Sequence, residues 1–353
     1  MKPPGHAVRI ESLAPGEFDA VIDVRSPAEF AEDRIPGALS CPVLDDAERA
    51  RVGTLYKQES PFAARRLGAA LVARNVARHL EGALAGKARG WRPLVYCWRG
   101  GQRSASMAHV LREVGWDAAT LEGGYRAYRR EVLAQLETLP GRFRFRVLCG
   151  ATGCGKSRLL EALAAQGAQV LDLEGLAHHR GSLLGAMPGE PQPPQKMFDS
   201  RVWNALTRLE PSRPVHVEAE SKKVGQVQVP AALLARMREG ECVRLQAPAA
   251  ERVRFLIAEY GHFLADPDAL KEKLRGLTTH HGHAVIGRWL SQIDACAWPA
   301  LVADLLRTHY DPSYLHATAR NYLHYHSGRQ LSLERLDEAG IERAAADLSR
   351  SPV

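Results

Sequence analysis

A short loop after an apolar strand-like run carries a cysteine that is placed to act as a nucleophile. Cys97 ends the run Pro93–Cys97, and a helical pattern begins at Ser104. Loop amides, a helix N-terminus and nearby guanidinium groups favour the thiolate over the thiol, and the same groups bind a tetrahedral anion. We therefore predict that Cys97 is catalytic together with Arg99 and Arg103. The other residues of this anion or donor loop are Trp98, Gly100, Gly101 and Gln102.

A second loop, from Gly150 to Ser157, matches the phosphate-loop pattern G-x-x-x-x-G-K-S in full. It follows the strand-like run Phe145–Cys149 and opens a helical pattern, which is the context that the motif requires. Glycines let the backbone wrap a phosphate chain, the lysine reaches the terminal phosphates, and the serine hydroxyl can hold Mg²⁺. The predicted phosphate-binding residues are Gly150, Gly153, Gly155, Lys156 and Ser157.

A phosphate loop usually works with a carboxylate that ends a neighbouring strand. Two strand-like runs end in acidic residues, which are Asp172 and Glu174 after the first run and Glu218 and Glu220 after the second. Asp172 has the usual residue type, whereas Glu218 follows the more apolar run. The sequence leaves the choice between them open.

Strands that alternate with helices predict an α/β fold with parallel, doubly wound sheets. The pair Pro140-Gly141 is the best domain boundary, because an alternating Arg-Phe pattern and a new α/β unit follow it. We expect a first domain over residues 1–140 with a helical insertion at about 45–90. We expect a phosphate-loop domain over residues 141–353, with a C-terminal region that is mostly helical from Pro248.

Composition limits the class of protein. The 353 residues carry a formal net charge of +7, which is compatible with phosphate-rich partners such as RNA. No apolar run is long enough to span a bilayer, and the N-terminus lacks an apolar signal region, so we expect a cytoplasmic protein. The six cysteines have no paired spacing, and no Cys/His set predicts a metal centre.

Three segments of the first domain resemble the rhodanese family. They are Ile22–Phe30 with Arg34–Ala38, the Cys97 loop, and Leu121–Tyr125. The resemblance implies a rhodanese-like parallel-sheet domain. Common rhodaneses have one residue fewer between the cysteine and the arginine, and the longer Cys-x5-Arg loop is similar to that of dual-specificity phosphatases. Two alternatives therefore stay open: a rhodanese-type sulfurtransferase, and a phosphatase fused to a kinase-like domain.

A rhodanese-like domain followed by a phosphate-loop domain is the arrangement of the tRNA 2-selenouridine synthases, and the chain resembles this family over nearly its whole length. The segments that carry the resemblance are Val52–Lys57, Gly68–Ala70, Cys97–Gly101, Asp172–Ala177, His179–Ser182 and Glu218–Ser221. It implies replacement of sulfur by selenium in the 2-thiouridine at the tRNA wobble position, with selenophosphate as donor. It also implies an S-geranylated intermediate that is made from geranyl diphosphate, and a partner enzyme that supplies selenophosphate.

The same resemblance implies roles for the two loops. The phosphate loop would hold geranyl diphosphate, and Cys97 would receive selenium as a perselenide that attacks C2 of the base. Four insertion arginines could follow an RNA backbone or simply face solvent: Arg65, Arg66, Arg74 and Arg78. Four tyrosines could stack on anticodon bases, although such residues more often lie in a core: Tyr310, Tyr314, Tyr322 and Tyr325. The sequence does not indicate the oligomeric state.

Overall fold

The computed structural model describes residues 7–12, 16–182, 184–187, 189 and 191–350, with 313 and 315–317 described by their backbone alone. The chain forms two compact units. The first contains Met1–Gln135 and Pro193–Asn204, and the second contains Leu136–Gln192 and Ala205–Val353. The first stretch thus ends close to the Pro140-Gly141 boundary. The membership of Pro193–Asn204 differs from the sequence prediction, which placed this segment in the second domain.

The first unit is built on a five-stranded parallel sheet in the order β1-β5-β4-β2-β3. Its strands are β1 (Ala7–Val8), β2 (Ala20–Asp23), β3 (Leu39–Ser40), β4 (Pro93–Tyr96) and β5 (Ala119–Leu121). Its helices are α1 (Pro27–Glu32), α2 (Asp46–Gln58), α3 (Pro61–Glu81), α4 (Gln102–Glu113) and α5 (Gly124–Thr138), the last of which continues into the second unit. The predicted helical insertion is the α2–α3 pair.

Local sequence explains where these helices begin. Ser26 and Glu29 form a capping box at the start of α1, and Asp45 does the same for α2 with Glu48. The central strand β4 is buried along its whole length, and Val95 packs in one cluster with Ile22 and Leu111. Strand β4 therefore ends inside the unit and delivers Cys97 to the carboxyl edge of the sheet, where ligands bind in open α/β folds.

The second unit also contains a five-stranded parallel sheet, in the order β12-β11-β6-β8-β7. Its strands are β6 (Phe145–Cys149), β7 (Gln169–Leu171), β8 (Val215–Glu218), β11 (Glu241–Gln246) and β12 (Arg329–Ser332), with β9 (Lys223–Val224) and β10 (Val227–Gln228) forming a small antiparallel ribbon. Strand β6 occupies the centre and leads into the phosphate loop, as the sequence predicts.

Helices of the second unit cover this sheet and form most of the C-terminal region. They are α6 (Lys156–Ala165), α7 (Leu173–Ala177), α9 (Ala231–Arg238), α10 (Ala249–Glu259), α11 (Gly261–Ala265), α12 (Pro267–Arg275), α13 (Thr278–Asp294), α14 (Trp298–Leu305), α15 (Asp311–Asn321) and α16 (Glu338–Arg350). Helix α8 (Gln195–Leu206) lies largely in the first unit. The fold class predicted from the sequence is confirmed, except that the helical C-terminal region also supplies the edge strand β12.

Among the described residues, no helix combines the length and the apolar character that crossing a membrane requires.

Candidate active site

The Cys97 sulfur lies inside a ring of donors from its own loop. Cys97 is 3% exposed, and its Sγ accepts hydrogen bonds from the Gly101 amide at 3.3 Å and from Ser104 Oγ at 3.2 Å. Helix α4 begins at Gln102, so its N-terminal dipole also favours negative charge beside the sulfur. The loop therefore has the features that the sequence predicts for an activated thiolate.

Burial and hydrogen bonding act in opposite directions on this thiol. Burial alone raises the pKa of Cys97, because it disfavours the charged form. The Ser104 hydroxyl, the backbone amides of Ser104 and Arg99, and the positive charge of Arg103 outweigh burial and leave the pKa below its ordinary value. By contrast, burial raises the pKa of the Cys41 thiol to about 11, so burial alone does not produce the low pKa of Cys97.

The two predicted anion-binding arginines differ in their surroundings. Arg99 is exposed at the rim of the loop. Arg103 Nη1 instead donates to Glu29 Oε2 at 2.9 Å, and this carboxylate also lies 3.5 Å from Arg49. Glu29 therefore positions Arg103 beside the sulfur, a role that the sequence did not indicate.

The turn that precedes α5 closes the Cys97 loop from the other side. The amides of Tyr125 and Arg126 donate to the carbonyl oxygens of Cys97 and Trp98, at 2.8 and 3.1 Å. Gly100 has φ +67°, and a β-carbon there would lie 2.7 Å from the Leu121 carbonyl oxygen. The two segments that resemble rhodanese signatures are thus in direct backbone contact.

A buried ion pair fixes the floor of this site. Arg25 and Asp23 are almost fully buried and bind each other, with 2.6 Å between Arg25 Nη2 and Asp23 Oδ2. The Tyr96 hydroxyl donates to the same carboxylate at 2.7 Å, and the Arg25 guanidinium lies 4.1 Å from the centre of the Tyr125 ring. These contacts explain why the segment Ile22–Phe30 accompanies the cysteine loop.

The phosphate loop has the backbone that its glycines permit. Gly153 and Gly155 have φ of +82° and +75°, which only glycine adopts readily. Lys156 Nζ donates to the Gly150 carbonyl oxygen at 2.9 Å and lies 5.3 Å from the centre of the Tyr314 ring. The Gly150 amide donates to the Tyr314 hydroxyl at 2.6 Å. Tyr314 is therefore a support of the loop.

A second support comes from α10, the helix that follows β11. Arg252 is 8% exposed, and its guanidinium donates twice to the Thr152 carbonyl oxygen, at 2.8 and 2.9 Å. The same group forms an ion pair with Asp311 at 2.5 Å. These contacts of Arg252 therefore stabilise the conformation of the phosphate loop.

Three of the four candidate acidic residues meet beside the loop. One carboxylate oxygen from each of Glu174, Glu218 and Glu220 lies within 4.8 Å of the others. Ser157 Oγ donates to Glu174 at 3.3 Å. Asp172 lines the pocket in front of the phosphate loop, but its side chain is exposed. It caps α7 by accepting a hydrogen bond from the Gly175 amide at 2.8 Å. Glu218 ends β8, directly beside β6, whereas Asp172 follows β7, which is one strand further from β6.

The three glutamates make an electrostatically strained group. Burial, followed by the charges of the neighbouring glutamates, raises the pKa of Glu174 to about 9 and that of Glu220 to about 8. Burial also raises the pKa of Glu218, whose Oε1 has no hydrogen-bond partner within the described part of the chain. Carboxylates with this arrangement, beside a serine hydroxyl, are oxygen ligands of the kind that Mg²⁺ prefers.

A pocket of about 410 Å³ opens in front of this group. Residues from the phosphate loop, the acidic group and α10 line it, among them Lys156, Ser157, Glu174, Arg180, Glu218 and Tyr260. The pocket therefore combines cationic side chains, loop amides and carboxylates, which are the groups that a phosphate chain and its counter-ion would need.

Two family models match separate parts of the chain, and each part contains one of the two loops. A family model described as "tRNA 2-selenouridine synthase AAA domain" matches residues 143–285, and one described as "Rhodanese-like domain" matches residues 10–131. Two proteins named tRNA 2-selenouridine synthase, from Nitrosomonas europaea and Alcanivorax borkumensis, are each 36% identical to this chain. These matches cover 72% and 71% of this chain and 66% and 71% of those proteins. A third protein with that name, from Shewanella halifaxensis, is 31% identical to this chain, and the match covers 83% of this chain and 87% of that protein.

The chain belongs to the tRNA 2-selenouridine synthase family. Cys97 lies inside the rhodanese-like match, and the loop Gly150–Ser157 and the three glutamates lie inside the AAA-domain match. Two further residues that contact the phosphate loop or the glutamate group lie beyond residue 285. Tyr314 contacts the phosphate loop, and the Tyr322 hydroxyl exchanges hydrogen bonds with the amide and carbonyl of Glu220, at 2.8 and 2.9 Å.

Of the four tyrosines that could stack on RNA bases, two have contacts inside the second unit instead. Tyr322 is 3% exposed, and Tyr314 is held against the phosphate loop. No local signal could have revealed these contacts, because each joins residues more than a hundred positions apart.

Proposed function

We propose that this chain replaces the sulfur of 2-thiouridine at the tRNA wobble position with selenium, through an S-geranylated intermediate. One observation carries the proposal. A single chain holds a cysteine loop that lowers the pKa of its thiol and an intact phosphate loop facing three carboxylates. Its relatives are named tRNA 2-selenouridine synthases, so tRNA is the proposed substrate.

The first step is assigned to the phosphate loop. Lys156 and the loop amides bind the diphosphate of geranyl diphosphate. The thiocarbonyl sulfur of the base attacks C1 of the geranyl group, the C–O bond breaks with its electron pair on the diphosphate, and the base loses a proton. Alkylation turns the sulfur into a thiolate leaving group. Glu174, Glu218, Glu220 and Ser157 would hold Mg²⁺, which neutralises charge on a departing diphosphate.

The second step is assigned to Cys97, and the electron count decides how it acts. A perselenide made from a thiolate and selenophosphate would leave phosphorus reduced by two electrons, unless an external oxidant were present. Attack of the thiolate on phosphorus needs none. The P–Se bond breaks with its electron pair on selenium, and Cys97 becomes S-phosphorylated.

The released selenide completes the exchange. It adds to C2 of the S-geranylated base, and geranyl thiolate leaves. Water then cleaves the S–P bond, which restores Cys97 and yields phosphate. The longer Cys-x5-Arg loop suits this chemistry, because Arg103 and the loop amides hold three phosphoryl oxygens. The selenophosphate itself must come from a partner enzyme.

Mass spectrometry of nucleosides from a 2-thiouridine tRNA, incubated with geranyl diphosphate and selenophosphate, tests both assignments. We expect Cys97→Ser to accumulate the geranylated nucleoside without selenouridine, and Lys156→Ala to form neither product. Cys296→Ser, which changes an exposed cysteine, is the matched control.

Other outcomes would overturn parts of the proposal. Selenouridine formation by Cys97→Ser would remove Cys97 from the chemistry, and geranylation by Lys156→Ala would do the same for the phosphate loop. In an acid quench, selenium on the Cys97 peptide would contradict attack on phosphorus. Sulfur transfer from thiosulfate or aryl phosphate hydrolysis, with an unchanged tRNA, would favour the sulfurtransferase or the phosphatase alternative.

A further inference from the structure

An apolar cavity lies beside the phosphate-loop pocket and has no role in the steps assigned above. Its volume is about 70 Å³. Aliphatic and aromatic side chains from α10, α11 and α14 line it, including Ile257, Leu264, Leu301, Val302 and Leu305. Leu301 and Leu305 are buried, whereas Val302 is half-buried and Leu264 is 36% exposed.

The cavity and the phosphate-loop pocket share part of their wall. Thr152, Ser182, Leu256 and Tyr260 line both of them. Thr152 belongs to the phosphate loop itself, so the apolar space begins where the phosphate site ends. The Arg180 guanidinium lies 5.0 Å from the centre of the Tyr260 ring and marks the polar side of this junction.

We propose that this cavity binds the hydrocarbon chain of an allylic diphosphate whose phosphates occupy the phosphate loop. The inference rests on the proposed function and adds where the isoprenoid lies and which residues select its length. A ligand with a diphosphate at one end and an apolar chain at the other matches the polarity and the order of the two adjoining spaces.

The lining argues against a nucleoside as the occupant. A base has ring nitrogens and exocyclic groups that must keep hydrogen-bond partners when buried, and leaving one unpaired costs about 1–3 kcal/mol. Apart from hydroxyl groups at Thr152, Ser182, Tyr260 and Tyr310, the cavity wall consists of hydrocarbon and indole surface. An isoprenoid chain needs no such partners and gains free energy from the burial of every carbon.

Calorimetric binding of three probes to the full-length protein tests the inference. We expect geranyl diphosphate to bind at least about 10-fold more tightly than inorganic pyrophosphate or dimethylallyl diphosphate, because each buried methylene contributes about 0.8 kcal/mol. Lys156→Ala should weaken binding of all three probes, since they share the diphosphate.

Filling the cavity should separate the chain from the phosphates. We expect Val302→Phe to weaken geranyl diphosphate at least about 10-fold and to leave pyrophosphate unchanged. Leu264→Trp should act in the same direction at a position that is already exposed, so it is the safer variant for folding. The matched control is Ala303→Phe, which adds the same ring to an exposed site on the same helix.

The outcomes distinguish the two levels of the proposal. If geranyl diphosphate binds no more tightly than pyrophosphate, the geranyl substrate itself is wrong. If it binds more tightly but Val302→Phe and Leu264→Trp behave like Ala303→Phe, the chain lies elsewhere and only the cavity assignment fails. Unchanged pyrophosphate binding shows in every case that the variant is folded.

Discussion

The backbone amide of Tyr125 donates a hydrogen bond to the carbonyl oxygen of Cys97, 2.8 Å away. This bond joins the first turn of α5 to the end of β4 and sets how far the cysteine loop can open. Gly124 makes the approach possible, because a β-carbon at this position would overlap the Cys97 carbonyl and the Gly100 amide. Its φ of +56° is also unfavourable for other residues.

Gly124→Ala should therefore damage the cysteine loop more than an ordinary glycine substitution does. We expect a loss of about 2–4 kcal/mol in the free energy of unfolding, from left-handed strain and steric overlap. Selenouridine formation should fall by about tenfold or more while geranylation persists. Urea denaturation and nucleoside mass spectrometry measure the two effects. Gly115→Ala is the control, since Gly115 has φ +100° but nothing within 4 Å of a β-carbon; equal losses in both variants would contradict the steric argument.

Ser104 should control the acidity of the Cys97 thiol. Its hydroxyl donates to Sγ at 3.2 Å and is the largest of the influences that lower the pKa against burial. Ser104→Ala removes this donor, so the pKa of Cys97 should rise and the pH profile of its alkylation should shift to higher pH. The rate of reaction with a small haloacetamide, followed from pH 5 to 10, measures the shift.

Ser106→Ala provides the matched control for that titration. Ser106 lies on the same helix and is exposed. Its substitution should leave the alkylation profile unchanged. A Ser104→Ala profile identical to that of Ser106→Ala would mean that loop amides and Arg103 alone set the acidity of the thiol.

The two loops could be predicted from the sequence because their chemistry depends on residues that are close together along the chain. The seven-residue span of Cys97–Arg103 and the motif Gly150–Ser157 are complete without tertiary information. The partners of these loops are distant. Glu29 reaches Arg103, and Tyr314 reaches Gly150, only after the strands have paired.

The acidic residues also show that local sequence does not determine which side chains meet. Asp172 and Glu174 are two positions apart, yet one caps α7 and the other joins the glutamate group. Packing after β7 decides between these roles, and the residue types do not. Strand β12 was likewise missed, because its four residues, Arg329–Ser332, carry no strong apolar alternation and gain their place from β11.

The segment Pro193–Asn204 should contribute to the stability of the first unit although it is encoded far from it. Arg129 Nη2 donates to Asp199 Oδ2 at 2.5 Å, and both side chains are largely buried. Asp199→Ala should lower the free energy of unfolding by about 1–3 kcal/mol, because it removes the closer of the two carboxylates beside a largely buried guanidinium and leaves only Asp33, 3.9 Å away. Lys196→Ala, which breaks an exposed pair with Glu32, should cost less than about 1 kcal/mol. Chemical denaturation of the full-length variants decides, and equal costs would show that Asp199 is dispensable.

Glu218 should stabilise the Mg²⁺-bound protein and destabilise the metal-free protein. Burial raises its pKa, and burial and neighbouring carboxylates raise those of Glu174 and Glu220, so the charged forms of these acids are disfavoured when no cation is bound. We expect Glu218→Gln to raise the melting temperature without Mg²⁺, because one buried acid is removed from the group. The same change should weaken Mg²⁺ binding, read from the melting-temperature rise against Mg²⁺ concentration, by about tenfold or more, the loss that even an outer partner of a metal site can cause. Glu272→Gln, at an exposed position on α12, should change neither quantity. A Glu218→Gln variant that is destabilised without Mg²⁺ and keeps its full response to Mg²⁺ would mean that Glu218 has a purely structural role.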